Sequence, residues 1–254
     1  IDLRSGQIRI HMHSHNGLAI GSFNGNDFDH SYGDIAVDME GRLEIISNSM
    51  DTLCIGGGYN EDDSEIDLRS GQIRIHMHSH NGLAIGSFNG DALIDISDKC
   101  KLELTVSGIK VTGIGSCKGI ATISSSADIA ISCTGAQAVA IGSLEDGEGS
   151  IYIKSGKLMM KMRSAKNSAI GAIKGNMNTR VENADISIDS EGDEITGIGD
   201  ALGTGNVAII DSAVTMKILA ANPKGIGTGS GDLKIVNSTV SSLINNKVIT
   251  HSNI

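Results

Sequence analysis

Apolar residues recur along this chain in pairs of positions two residues apart, with one polar residue usually between them. Eight segments align without a gap, and two columns of the alignment are apolar in every copy. The first column reads Ile8, Leu43, Ile73, Leu102, Ile129, Leu158, Ile186 and Val214, and the second reads Ile10, Ile45, Ile75, Leu104, Ile131, Met160, Ile188 and Met216. An apolar period of two with many β-branched residues predicts a strand that buries one face.

Each aligned segment ends on the dipeptide Ile-Gly, at intervals of 27 to 35 residues. The isoleucines are Ile20, Ile55, Ile85, Ile114, Ile141, Ile170, Ile198 and Ile226. The residue before each is Ala, Cys or Gly, and the residue after each Ile-Gly is small except for Asp200. A fixed period in this range is typical of solenoids, in which each repeat buries its apolar face against its neighbours. Small residues at every level indicate a packed corner, where a Cβ would meet the coil above.

A further short apolar strand precedes the aligned segments, as at 1–3, 151–153, 207–209 and 233–235. Bends that combine Ser, Asn or Asp with a small residue separate it from the first column, at Ser5-Gly6, Ser155-Gly156, Asn183-Ala184 and Asp211-Ser212. Three strands per repeat predict an all-β fold, a single-stranded parallel β-helix (β-solenoid) of about eight and a half turns of ~28 residues. We expect one domain over residues 1–254, right-handed as parallel crossovers are, with a terminal partial turn over 233–254.

The polar residues between the core columns give an independent check of this register. Arg9, Glu44, Arg74 and Glu103 alternate in charge from turn to turn, and so do Lys161, Asp189 and Lys217. Residues one turn apart lie about 4.8 Å from each other, where opposite charges are favourable. We interpret these charged columns as ladders of opposite charges along the axis and not as a binding site.

Residues 1–25 are repeated letter for letter as residues 66–90, which indicates a recent duplication or an artefact.

Composition and charge narrow the classes of partner. The formal net charge is −10, which disfavours a nucleic acid, since such binders carry a basic patch. No apolar run approaches the roughly 18 residues that span a bilayer, so membrane insertion is not expected. The chain starts at Ile1 inside a repeat, and we expect it to be a fragment.

The chain has four cysteines: Cys54, Cys100, Cys117 and Cys133. Their spacing matches no metal-binding or redox motif, and we expect them to be buried thiols.

The histidines form the most distinctive cluster of polar residues in the sequence. His11, His13 and His15 alternate along one predicted strand, and His76, His78 and His80 repeat them two turns later. Two imidazoles at i and i+2 share a face and can chelate Zn²⁺, Ni²⁺ or Cu²⁺. However, the two clusters lie about 9.6 Å apart, with Ile46 and Asn48 between them. We expect a solvated face with at most weak binding at His11, His13, His76 and His78, and therefore no specific metal site.

No other pattern predicts a catalytic or cofactor site. The acidic stretches Asn60–Asp63 and Glu145–Glu148 do not match calcium-binding loops, and Gly225–Gly229 lacks the lysine of a phosphate loop. No stacked carboxylate pair suits glycoside cleavage. Six aromatic residues (Phe23, Phe28, Tyr32, Tyr59, Phe88 and Tyr152) make a stacking platform for sugars less favourable.

The repeat resembles the glycine-rich Ile-Gly solenoid repeats of large surface proteins of Gram-positive gut bacteria. Cys54-Ile55-Gly56-Gly57-Gly58, Ala84-Ile85-Gly86-Ser87 and their equivalents carry the resemblance over nearly the whole chain. It implies a non-enzymatic role in presentation or attachment at the cell surface, with a glycan or a protein surface as partner. Two alternatives stay open: a sensing module of a cytoplasmic regulator, or a polysaccharide lyase-like enzyme or carbohydrate-binding module on the same fold.

Overall fold

The protein is an all-β parallel solenoid of about seven turns. A computed structural model describes residues 6–22, 33–57, 63–145 and 147–252. Within them it has no helix and eighteen strands: β1 Gln7–Met12, β2 Asn16–Ser22, β3 Gly33–Asn48, β4 Asp51–Gly57, β5 Ser64–Ser87, β6 Ala92–Ile96, β7 Cys100–Ser116, β8 Ile120–Ser125, β9 Asp128–Ser143, β10 Gly147–Ile153, β11 Gly156–Ala172, β12 Gly175–Glu182, β13 Ala184–Ile198, β14 Val207–Ile210, β15 Ala213–Ile226, β16 Leu233–Val236, β17 Thr239–Ile244 and β18 Lys247–Ser252. The predicted fold class is confirmed, with about seven turns where the sequence predicts about eight and a half.

The strand register reproduces the predicted columns. Parallel pairing stacks Ile8 on Leu43, Leu43 on Ile73 and so on to Val214, and the Ile-Gly isoleucines stack from Ile20 to Ile226. From Leu43 to Val214 the first column is at most 3% exposed. The core is therefore a set of axial ladders of like side chains.

Two of the three sides run together as one long strand in most turns. The ladder between β7 and β9 continues through the corner, where it skips Gly108 and Ile109, and it skips Gly113 farther along. A Cβ on Gly108 would meet the main-chain carbonyl of Ser79 in the turn below. Small residues at this corner therefore let the backbone bend while pairing continues, so the expectation of three separate short strands per turn was wrong.

The bends before the first core column use two backbone solutions. Gly156 has φ of +101°, whereas in the later turns Asn183 and Asp211 each have φ of +48°. Glycine, Asn and Asp are the residues that adopt positive φ at low cost. The Ser-Gly bends and the Asn and Asp bends are thus equivalent corners of one solenoid. The first expected strand, residues 1–3, and Ser5 lie outside the described residues.

The predicted terminal partial turn ends differently from the rest. Strand β18 pairs with β17 in antiparallel register through a two-residue turn, in which Asn245 and Asn246 have φ of +47° and +64°. Positive φ at both central residues is the geometry of the tight hairpin turn that asparagine favours. The hairpin covers an edge of β17 that would otherwise expose unpaired backbone groups.

Candidate functional site

The four candidate histidines do not converge. In the register His11 stacks on Ile46 and Ile46 on His76, while Asn48 stacks on His78. His11, His13 and His78 are exposed, and His76 is half-buried. Among the described residues no group of three or more His, Cys, Asp or Glu side chains is placed to hold a metal ion. The predicted separation by Ile46 and Asn48 is present, and the weak affinity expected of these histidines stays a prediction.

One histidine has a specific polar partner. The Nδ1 of His78 lies 2.9 Å from the Oγ of Ser107 in the next turn, and the Ser107 hydroxyl donates to the carbonyl of Met77 at 3.2 Å. Nucleophilic catalysis by serine and histidine needs a third group that orients the imidazole. No carboxylate forms a hydrogen bond with His78 within the described part of the chain, so this contact links two neighbouring turns and does not form a triad.

The acidic stretches take part in structural contacts where they are described. The carboxylate of Asp63 accepts a hydrogen bond from the backbone of Asp91 at 2.9 Å. Glu145 forms an ion pair with Lys110, and this hydrogen bond lowers the pKa of Glu145. Asn60, Glu61, Asp62 and Asp146 lie outside the described residues, and so do Phe23, Phe28, Tyr32 and Tyr59.

Tyr152 belongs to a charged cluster on the outer surface. Its hydroxyl donates to Glu182, which also pairs with Arg180, and these two bonds lower the pKa of Glu182. Lys154 and Arg180 lie 5.8 and 5.7 Å from the centre of the tyrosine ring. Because two cations lie near the ring, a sugar that stacked on Tyr152 would compete with them for it.

The cysteines are core residues rather than a reactive site. Cys54, Cys100 and Cys133 are buried as expected, whereas Cys117 is half-buried. Burial raises the pKa of Cys54, and it raises the pKa of the other three thiols to about 12. Since the thiolate is the reactive form, these side chains are poor nucleophiles and poor metal ligands at neutral pH.

A groove of about 850 Å³ in the later turns is the strongest candidate site. Its floor is a polar ladder four residues before the Ile-Gly isoleucines, in which Gln137, Lys166, Glu194 and Asn222 stack on consecutive turns. Ile173, Lys174, Ala201 and Leu202 from the loops after Ile-Gly, together with Pro223 and Lys224, form its walls. We refer to these residues as the lysine groove.

The lysine groove is cationic on an acidic protein. Among the residues that line it, Lys166, Lys174 and Lys224 against Glu194 give a formal charge of +2 (three minus one), whereas the whole chain carries −10. The buried carboxylate of Asp200, behind the loop wall, offsets part of the charge of Lys224. Lys166 forms an ion pair with Glu194 at 2.9 Å. Lys174 is exposed and lies within ion-pair distance of no carboxylate among the described residues, although its charge contributes to the lowered pKa of nearby Glu145. The groove can therefore offer a positive charge to a ligand without breaking the Lys166–Glu194 pair.

Asp200 anchors the loop that walls the lysine groove. Its Oδ1 accepts from the backbone of Ala172 at 3.0 Å, and its Oδ2 accepts from the backbones of Met177 and Gly205 at 2.9 and 3.2 Å. Burial raises the pKa of Asp200. Three N–H donors satisfy this buried carboxylate. Asp200, the residue that breaks the run of small residues after Ile-Gly, therefore anchors the loop.

Lys224 reinforces the same loop. Its Nζ donates to the carbonyl of Ala201 at 2.9 Å and lies 3.3 Å from the carbonyl of Asp200. The loop holds the side chain of Leu202 outward, 76% exposed. Leu202, Pro223 and Ile173 give the groove an apolar wall beside its charged floor.

Sequence reasoning missed the lysine groove, although one signal was available. The floor ladder falls within the aligned columns, so its polar character was readable. Most of the wall was not readable, because Ile173, Lys174, Ala201 and Leu202 come from loops after Ile-Gly that no alignment column covers.

No family model, curated protein or solved structure matches this chain with significance. The described residues form no helix, and therefore none that is long and apolar enough to cross a membrane. The assignment of function therefore depends on the geometry of the chain.

Proposed function

We propose that this chain is a non-enzymatic structural and adhesive module of a larger bacterial surface protein. The unbroken register through eight Ile-Gly levels supports this role. Seven intervals at the strand spacing give a rod about 34 Å long. Backbone bonds in every turn resist bending of such a rod, as a stalk or a presenting module requires.

The ion pairs on the outer surface favour a role in presentation or attachment over a catalytic role. Arg9 pairs with Glu44 at 2.5 Å and Arg74 with Glu103 at 2.6 Å, so these charges neutralise one another along the ladder. In the lysine groove the carboxylate of Glu194 is bound to Lys166. Cleavage of a glycosidic bond uses two carboxyl groups across the scissile bond, and this groove has one.

A binding and degradation screen tests the proposal. The purified chain is applied to an array of bacterial and host glycans and to extracellular-matrix proteins, and the same polymers are incubated with it and sized by chromatography. We expect retention on at least one surface with no change in polymer size. Chain-dependent cleavage of any polymer overturns the non-enzymatic proposal, and a lack of retention on every surface overturns the adhesive one.

A further inference from the structure

We infer that the lysine groove binds an acidic polysaccharide, with Lys174 and Lys166 facing the carboxylates of its uronic-acid residues. This inference rests on the proposed adhesive function and gives it a ligand class. The starting observation is that the residues lining the groove carry a formal net charge of +2, whereas the whole chain carries −10. Charge of one sign in a concave site selects ligands of the opposite sign.

The polar lining favours a sugar over other anions. Gln137, Asn222 and Thr196 line the groove beside the lysines. Amides and hydroxyls both donate and accept hydrogen bonds, which suits the hydroxyl groups of a saccharide. The exposed Leu202 and the half-buried Pro223 supply apolar surface for the C–H faces of sugar rings.

An extended acidic peptide fits less well. Peptides commonly bind β proteins by adding a strand to an unpaired sheet edge. Three of the four floor residues, Gln137, Lys166 and Glu194, lie on β9, β11 and β13 and are already paired with a neighbour on both sides, whereas Asn222 lies beyond the β15–β17 pairing. A peptide lying across those three turns would therefore contact side chains alone, without main-chain pairing.

A nucleic acid fits less well for a reason of charge density. Duplex DNA carries one negative charge per about 1.7 Å of its axis, and the acidic surface outside the groove would repel that continuous charge. A polysaccharide with a carboxylate on every second sugar places its charges farther apart. Such a chain can present a carboxylate to the groove and neutral sugars to the surface around it.

The test uses a hyaluronate oligosaccharide, in which every second sugar is a glucuronate, and the same oligosaccharide with its carboxyl groups reduced to alcohols. Isothermal titration measures binding of both to the whole chain. We expect binding of the acid form, at least about tenfold weaker binding of the reduced form, and weaker binding as salt shortens the screening length. Equal binding of the two forms overturns the inference.

Variants of exposed side chains locate the site. Lys174→Gln and Leu202→Ser should each weaken binding several-fold, whereas Glu194→Gln should strengthen it, because it removes the carboxylate that competes for Lys166. Lys234→Gln is the matched control, an exposed lysine on a different face that stacks on Ala208. Thermal melts of all four variants should match the unmodified chain. Unchanged affinity in Lys174→Gln and Glu194→Gln overturns the inference.

Two further outcomes separate the inference from the proposed function. If the chain binds the oligosaccharide but poly-L-glutamate competes equally well, the groove is a general anion site and the sugar assignment is wrong. If the glycan array gives binding that the groove variants leave intact, the adhesive function stands and the lysine groove is not its site.

Discussion

The main-chain carbonyl of Gly171 occupies the space that a side chain on Gly142 would need. The same relationship holds at each successive Ile-Gly level up to Gly199, where the obstacle is the carbonyl of Gly227. Gly142 also has φ of +134°, a conformation that favours glycine. Two independent constraints, steric and conformational, therefore require glycine at this corner.

Gly142→Ala should destabilise the chain more than Gly227→Ala does. Gly227 has a similar φ of +130°, but nothing lies within 4 Å of a Cβ placed on it. Both variants carry the backbone strain of about 1–3 kcal/mol, and only Gly142→Ala adds about 1–3 kcal/mol of overpacking. Urea unfolding of the two variants measures the difference. Equal destabilisation would show that the close approach of Gly171 is not what selects glycine.

The core columns, the corner and the ladder register were predictable because they depend on local chemistry repeated at every level. A stacked Ile or a corner glycine meets the same residue type above and below it. Pairing partners in the charged columns were less predictable. Asp189 lies between Lys161 and Lys217 in the register, yet its ion pair is with Arg163 at 2.7 Å. A long side chain can reach a neighbouring column, and alternation of charge alone does not choose between such partners.

The segments 1–25 and 66–90 have identical sequences, yet matching residues in them are buried to different extents because their neighbouring turns differ. Ile73 and Ile75 are fully buried between turns, whereas the matching Ile8 and Ile10 in β1 are half-buried. In the described residues β1 pairs with β3 alone, while β5 has partners on both sides. The sequence determines which face points inward, and the neighbouring turn determines how much of it is buried.

Ile131→Ala should cost about 2–5 kcal/mol of unfolding free energy. Ile131 is 2% exposed and stacks between Leu104 and Met160, so truncation leaves a cavity in the ladder. Met159→Ala is the control, an outward residue that is 52% exposed. Its cost should stay below about 1 kcal/mol. Chemical denaturation checks both, and similar values for the two variants would mean that the inward face is wrongly assigned.

Asp200→Asn should destabilise the chain by about 1–3 kcal/mol, although the shape of the side chain is kept. Both carboxylate oxygens of Asp200 accept backbone N–H groups. An asparagine would turn an NH₂ donor toward at least one of those donors and leave it unsatisfied. Asp193→Asn is the control at an exposed site. If the two variants unfold at the same denaturant concentration, the buried carboxylate does not anchor the loop.

The Lys110–Glu145 pair should make part of the stability depend on pH. The hydrogen bond from Lys110 lowers the pKa of Glu145 below its ordinary value, so the unfolded chain binds the proton more readily than the folded one. The contribution is therefore present above the unfolded pKa of about 4.3 and is lost as the pH falls through the lower native pKa.

Glu145→Gln tests this linkage. At pH 7 it should cost about 0.5–1 kcal/mol, as expected of a partly exposed pair. The difference from the unmodified chain should shrink in acid as Glu145 takes up its proton. Glu148→Gln, an exposed glutamate with no ion pair among the described residues, should show no such trend. A deficit in Glu145→Gln that stays constant from pH 7 to pH 3 would contradict the assignment.

Zinc should bind the histidine face weakly. His76 and His78 give two imidazoles at i and i+2, but Ile46 separates His76 from His11 along the axis. A structural zinc site requires four ligands around one ion, and this spacing brings no such set together. Isothermal titration with Zn²⁺ at pH 7 should therefore give a Kd above the micromolar range, with little change in the combined His13→Ala/His78→Ala variant. A submicromolar Kd that this double variant abolishes would show that the two histidine clusters act as one site.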